Sequence, residues 1–119
     1  MTLPGGEQIM AEVMMRQSDV MSGMMFRNSL APDRGLLFIH NRPGRYTYWM
    51  RNVKVPLDII WMDKAKKIVE ISANTPPCLD PDPVKCPQYG GKVDSRFVLE
   101  LAAGRAAAYG LAIGQSLSF

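Results

Sequence analysis

Prolines and glycines cut this chain into runs too short for long helices. Ten glycines and nine prolines lie among 119 residues, and most fall between short stretches rich in branched and aromatic side chains. Such punctuation favours a sheet of short strands joined by forced turns. Five strands are predicted after residue 35, at 36–40, 46–51, 57–62, 66–73 and 96–101. Breaks at Arg42-Pro43-Gly44, residues 54–56 and Asp63-Lys64-Ala65 separate the first four. The three-residue break after Met62 predicts a hairpin between its flanking strands. An earlier strand is predicted over 8–15, where Ile9, Ala11, Val13 and Met15 alternate with Gln8, Met10, Glu12 and Met14.

Two short helices complete the pattern. Ser18-Asp19 is a good helix start, and Val20, Met21, Met24 and Met25 then share one face. Gly23 weakens that helix by about 1 kcal/mol, so it should be short and docked. Residues 102–111 (AAGRAAAYGL) predict the second, followed by a terminal strand over 116–119. Strand, helix, many strands, helix, strand implies an α+β fold with a mainly antiparallel sheet, curled or barrel-like. Residues 1–7, with Pro4-Gly5-Gly6, are expected to be a disordered lead-in to one domain over 8–119. They lack the basic start and apolar stretch of a signal peptide.

Composition narrows the function classes. An apolar fraction of 47% and a net charge of +3 exclude a disordered chain, and no apolar run approaches the roughly 20 residues of a membrane span. The modest charge hides an asymmetry: residues 27–67 hold nine basic and three acidic side chains. Within 34–54 five cations stand without a carboxylate, and Tyr46, Tyr48 and Trp49 lie among them. Such a patch can meet an anionic ligand or nucleic acid, or be a solvated strand face.

Cys78 and Cys86 sit in the proline-rich run PPCLDPDPVKCP. Their spacing fits neither a CxxC redox site nor a zinc site. A disulfide closing nine residues adds ~2.6 kcal/mol in the chain-entropy model and points to a periplasmic or extracellular compartment. Two reduced thiols in a cytosolic protein are the alternative.

No nucleophile elbow, HExxH or phosphate loop is present. His40 is the single imidazole, and at a strand end it reads as a surface or satisfied residue. The nine methionines read as core filling rather than soft-metal ligands, so no metal or cofactor is expected. More informative is Tyr46-Thr-Tyr-Trp-Met-Arg-Asn52, which mixes aromatics with cations and can stack on a planar or sugar group while a guanidinium holds an anion. Asp58 shares a strand face with Ile60 and Met62, and Glu100 shares one with Arg96 and Val98. A carboxylate on an apolar face must find a cation or lie at the rim. Structural salt bridges to Arg27, Arg51 or Arg96 are the plain reading of both.

Gly23-Met-Met-Phe-Arg27, Gly35-Leu-Leu-Phe38, Tyr48-Trp-Met-Arg-Asn52, Pro56-Leu-Asp-Ile-Ile-Trp-Met-Asp63, Cys86-Pro-Gln-Tyr89, Val98-Leu-Glu-Leu101, Gly104 and Ile113-Gly114 occur in that order. The set resembles the prokaryotic domain of unknown function 192 family over roughly residues 8–119. The resemblance implies a small α+β domain, often carried with an export signal, and no established activity. Its typical positions here are Arg27, Trp49, Met50, Arg51, Asn52, Pro56, Asp58, Glu100 and Gly104. The family usually has Lys at Arg51, Thr at Val53 and Asp at Gln115, so a lysine nucleophile is not expected here.

The resulting expectation is an exported, monomeric domain that binds a small anionic or sugar-like ligand. Its pocket is expected around Arg27, Trp49, Arg51, Asn52, Asp58, Tyr89 and Glu100. One alternative is a hydrolase using Asp58 and Glu100 as a catalytic acid–base pair. A weaker one is nucleic-acid binding through the basic, aromatic 34–54 segment.

Overall fold

A computed structural model describes residues 1–15, 23–25 and 27–119. Seven strands are β1 (Met10–Met14), β2 (Arg34–Gly44), β3 (Thr47–Trp49), β4 (Leu57–Met62), β5 (Ile68–Thr75), β6 (Gln88–Gly90) and β7 (Ser95–Ala102). Among the described residues one helix, α1 (Arg105–Ala108), and a 3-10 turn (Pro83–Lys85) accompany them. Five strands form an open sheet in the order β1-β2-β7-β4-β5, and β3 pairs with β6 in a separate ribbon. The sheet is antiparallel except for β1 on β2.

β4 occupies the predicted 57–62, and the hairpin to β5 forms as expected. Its turn is held by Asp63, whose Oδ1 accepts from the amides of Ala65 and Lys67. All six β4 residues are buried, because helix and termini cover one face while the ribbon covers the other. That double burial explains why Leu57-Asp-Ile-Ile-Trp-Met62 is apolar on both of its alternating faces.

The two faces carry separate cores. Leu37, Ile60, Met62, Phe97, Leu99 and Leu101 project to the first, under Leu3, Ile9, Ala106, Leu111 and Leu117. Leu36, Phe38, Leu57, Ile59, Trp61 and Val98 project to the second, under Met24, Tyr48, Met50 and Val53. The ribbon approaches the second face closely: a Cβ on Gly90 would stand 2.2 Å from the Trp61 ring. With φ at +81°, that position suits glycine on both counts.

Several expectations are corrected. The sheet is open, not a barrel, since β1 and β5 are unjoined edges. Among the described residues there is one helix of four residues, because Gly104 and Gly110, both at positive φ, bound the alanine run. The helix predicted from Ser18 lies largely outside the described residues. The terminal strand over 116–119 reduces to single bridges, Lys67 to Ser116 and Thr2 to Ser118. Residues 1–7 are not a loose lead-in; Leu3 is buried and Thr2 exchanges both backbone hydrogen bonds with Ser118. β6 escaped prediction because three residues carry no periodic signal.

Candidate functional site

Asp58 and Glu100 stand one register step apart on neighbouring strands. In the β4–β7 ladder Asp58 faces Leu101 and Ile59 faces Glu100. Cross-strand partners share a face, so Asp58 points into the first core and Glu100 into the second. The sheet itself lies between the carboxyl groups. A substrate cannot bridge them, and the acid–base pair of the hydrolase reading does not exist in this fold.

Asp58 is fully buried, yet both oxygens are used. Oδ1 accepts from the Asn74 amide and Oδ2 from the Ala106 amide, each at 2.8 Å. Asn74 is at φ +49°, and Ala106 lies in the first turn of α1. One carboxylate therefore ties β4 to the end of β5 and to the helix start, where an anion is favoured. No salt bridge to Arg27, Arg51 or Arg96 is involved.

Glu100 is the opposite case. It is 5% exposed, and its Oε1 has no hydrogen-bond partner among the described residues. Burial pushes its pKa up to about 8, with the Arg27 charge opposing. Oε1 looks toward the backbone at Gly23: a Cβ there would meet Phe38 at 3.1 Å and Oε1 at 3.9 Å. Past that glycine, Arg27 makes a bidentate pair with Glu12, at 2.8 and 3.0 Å. This hydrogen bonding holds the Glu12 carboxyl below its ordinary range and raises Arg27, to which Glu100 also contributes.

Beside the pair lies a groove of about 480 Å³. Its walls are β1, the start of β2 and the stretch around Arg27 to Ala31. Among the described residues Arg27 and Arg34 supply two guanidinium groups and Glu12 a carboxylate; Met10, Leu30 and Leu36 supply apolar surface. Arg34 and Glu12 were not singled out from sequence. Arg34 opens β2 and is, by sequence, one of five cations in 34–54, and Glu12 gains meaning only from β1 lying beside β2 and Arg27.

The other expected site residues gather elsewhere. Cys78 and Cys86 form a disulfide, with Cα atoms 5.7 Å apart. The Cys78 amide donates to Met50 O, and the Asn52 amide donates to Cys78 O. Asn52 is at φ +58°, a conformation Asn tolerates. Arg51 bridges to Cys78 through the backbone and lies 5.6 Å from the centre of the Trp49 ring. Tyr89 faces Tyr48 across the ribbon. Arg51 and Asn52 thus brace the disulfide loop through the backbone, Trp49 and Tyr89 lie on the β3–β6 ribbon, and Asp58 stands apart on the other face of the sheet.

His40 is a satisfied residue, as expected. Its Nε2 is 2.8 Å from the Tyr48 hydroxyl, and it stacks on Tyr46 at 3.6 Å. Burial lowers its pKa, and burial raises that of Tyr48, with the Glu100 charge adding to the shift. Both tyrosines are therefore engaged internally rather than presented as free stacking faces. Among the described residues no three His, Cys, Asp or Glu side chains cluster as metal ligands. No helix among them is long and apolar enough to cross a membrane.

Comparison with known proteins agrees with this architecture. The model of the domain of unknown function 192 family, described as an uncharacterized ACR, matches residues 2–119. The chain belongs to this family. A crystal structure of a protein of unknown function from Novosphingobium aromaticivorans DSM 12444 is similar, with TM-score 0.87 and 28% identity, covering 99% of this chain and 81% of that one. A putative transcription regulator from Sinorhizobium meliloti 1021 gives TM-score 0.82 at 28% identity, covering 91% and 79%. No curated protein matches. Within this family member, the groove and Glu100 lie on one side of the sheet and the fully bonded Asp58 on the other.

Proposed function

We propose that this family member binds a small anionic ligand in the groove formed by β1, the start of β2 and the stretch around Arg27 to Ala31. The observation that carries the reading is two guanidinium groups, Arg27 and Arg34, on one groove whose described lining holds one carboxylate, Glu12. Arg34 has no carboxylate partner among the described residues. The Arg27–Glu12 pair is 38% and 54% exposed, so its net stabilisation is small and Arg27 can turn to a ligand anion at little cost. A planar guanidinium is suited to bidentate recognition of carboxylate or phosphate. The volume falls in the range of small-molecule sites.

The disulfide supports work in an oxidising compartment, the periplasm or the exterior. The neighbour from Sinorhizobium meliloti is titled a putative transcription regulator, but here the aromatic side chains a nucleic acid would stack on are paired with His40 and Arg51.

Amide NMR titration with acetate, phosphate and sugar acids tests the proposal. Shifts should cluster at β1 and at the Arg34 end of β2, and Arg34→Ala should remove them. Shifts elsewhere, or shifts unchanged in the variant, would refute it.

A further inference from the structure

A single row of side chains crosses the sheet beneath the groove. Glu12 faces Leu36 across the β1–β2 ladder, and Leu36 faces Glu100 across the β2–β7 ladder. The three share one sheet face, and Leu36 lines the groove. Adjacent strands lie about 4.8 Å apart, so the Cα atoms of Glu12 and Glu100 are roughly 10 Å apart with Leu36 between them. Arg27 spans this row: it bonds Glu12 directly and feels the charge of Glu100. The groove thus has guanidinium groups along one side and, one strand inward of its floor, a buried carboxyl with an unused oxygen.

A buried polar atom without a partner carries a desolvation cost that an apolar residue would avoid. Leu36, Phe38, Val98 and Ile59 surround Glu100 on this face, so a leucine would suit the same position. Keeping a carboxyl there is explained by a ligand group that completes its hydrogen bonding. A second anion is the wrong partner for a carboxyl; a hydroxyl, which both donates and accepts, is the right one.

We propose that the ligand is a hydroxylated carboxylate of monosaccharide size, a sugar acid, held at its carboxylate by Arg34 and Arg27 and read at a hydroxyl by Glu100. This inference rests on the anion-groove reading and adds the substrate class. The raised pKa of Glu100 fits a neutral carboxyl that donates to, and accepts from, a neutral hydroxyl. Oε1 lies close to Gly23, where a Cβ would stand 3.9 Å from it.

Calorimetric titration with D-galacturonate, D-galactose and acetate provides the test. Galacturonate should bind at least ~10-fold more tightly than either probe carrying half of its groups, the scale of one well-placed hydrogen bond in a desolvated site. Glu100→Leu should erase the preference for galacturonate over acetate while acetate binding stays within about threefold. Glu100→Gln, neutral and able to donate and accept, should restore most of it. Equal binding of galacturonate and acetate, both lost in Arg34→Ala and both untouched by Glu100→Leu, overturns the sugar-acid inference and leaves the anion groove standing. Parallel loss of both ligands in Glu100→Leu overturns it too, since that marks a structural residue. Absence of binding by all three probes at millimolar concentration overturns the inference and the groove together.

Discussion

The two faces of the sheet treat a buried carboxyl in opposite ways. On the first, Asp58 is fully enclosed and each oxygen accepts an amide hydrogen bond. On the second, Glu100 is nearly as enclosed, yet its Oε1 accepts nothing among the described residues. The first face is closed by α1 and both termini, and the second is flanked by the open groove. The difference separates a carboxylate that builds the fold from one that the fold merely tolerates.

Mutation should break this contrast most sharply at Asp58. Replacement by Ala leaves the buried Ala106 amide and the partly buried Asn74 amide unpaired, and urea unfolding should show a loss of about 3–5 kcal/mol. Glu100→Leu should leave stability unchanged or raise it by about 1 kcal/mol, because no bond is lost and a desolvated carboxyl disappears. A large loss there would erase the distinction.

The pH dependence of stability should follow Glu100. Its folded pKa, about 8, lies above the ordinary carboxylate value, so between roughly pH 4.5 and 8 the native state binds more protons than the unfolded chain. Stability therefore falls as pH rises through that window, then levels off once both states are ionised. Arg27 and the Tyr48 hydroxyl are the other titratable groups that interact with it. The slope should amount to about 2–4 kcal/mol across the window and be nearly absent in Glu100→Gln. An equal slope in both proteins would assign it to another group.

A smaller effect sharpens the comparison on the second face. Reducing Cys78–Cys86, or replacing both by Ser, should cost roughly 2 kcal/mol, short of the full loop-closure value because prolines already stiffen the unfolded loop. The residue-78 and Asn52 amides should report it by faster hydrogen exchange, while the amides bonded to Asp58 and α1 stay protected. The smallest change belongs to the exposed pair. Glu12→Gln should alter stability by less than about 1 kcal/mol and lose even that in high salt.

Much of the sheet was legible in the chain. Alternation and turn residues placed β4 to the residue and placed β2, β5 and β7 within a few positions. The side of each strand on which Asp58 and Glu100 lie was also legible, the one with Ile60 and Met62, the other with Val98. Open edges and the shortness of α1 were less so, because closure and helix length depend on what each element docks against.

The sequence by itself determined that this is an α+β family member with a short-stranded sheet, a Cys78–Cys86 bridge in reach, and carboxyls on apolar strand faces. Period-two patterning and local turn chemistry act within a few residues, so they can be read from neighbours in the chain. Tertiary structure alone decided that Ile59, and not Asp58, stands opposite Glu100. A one-residue change of register would put both carboxyls on one face. Pairing between strands some 40 residues apart set them on opposite sides, supplied amides to Asp58, and left Glu100 beside a groove.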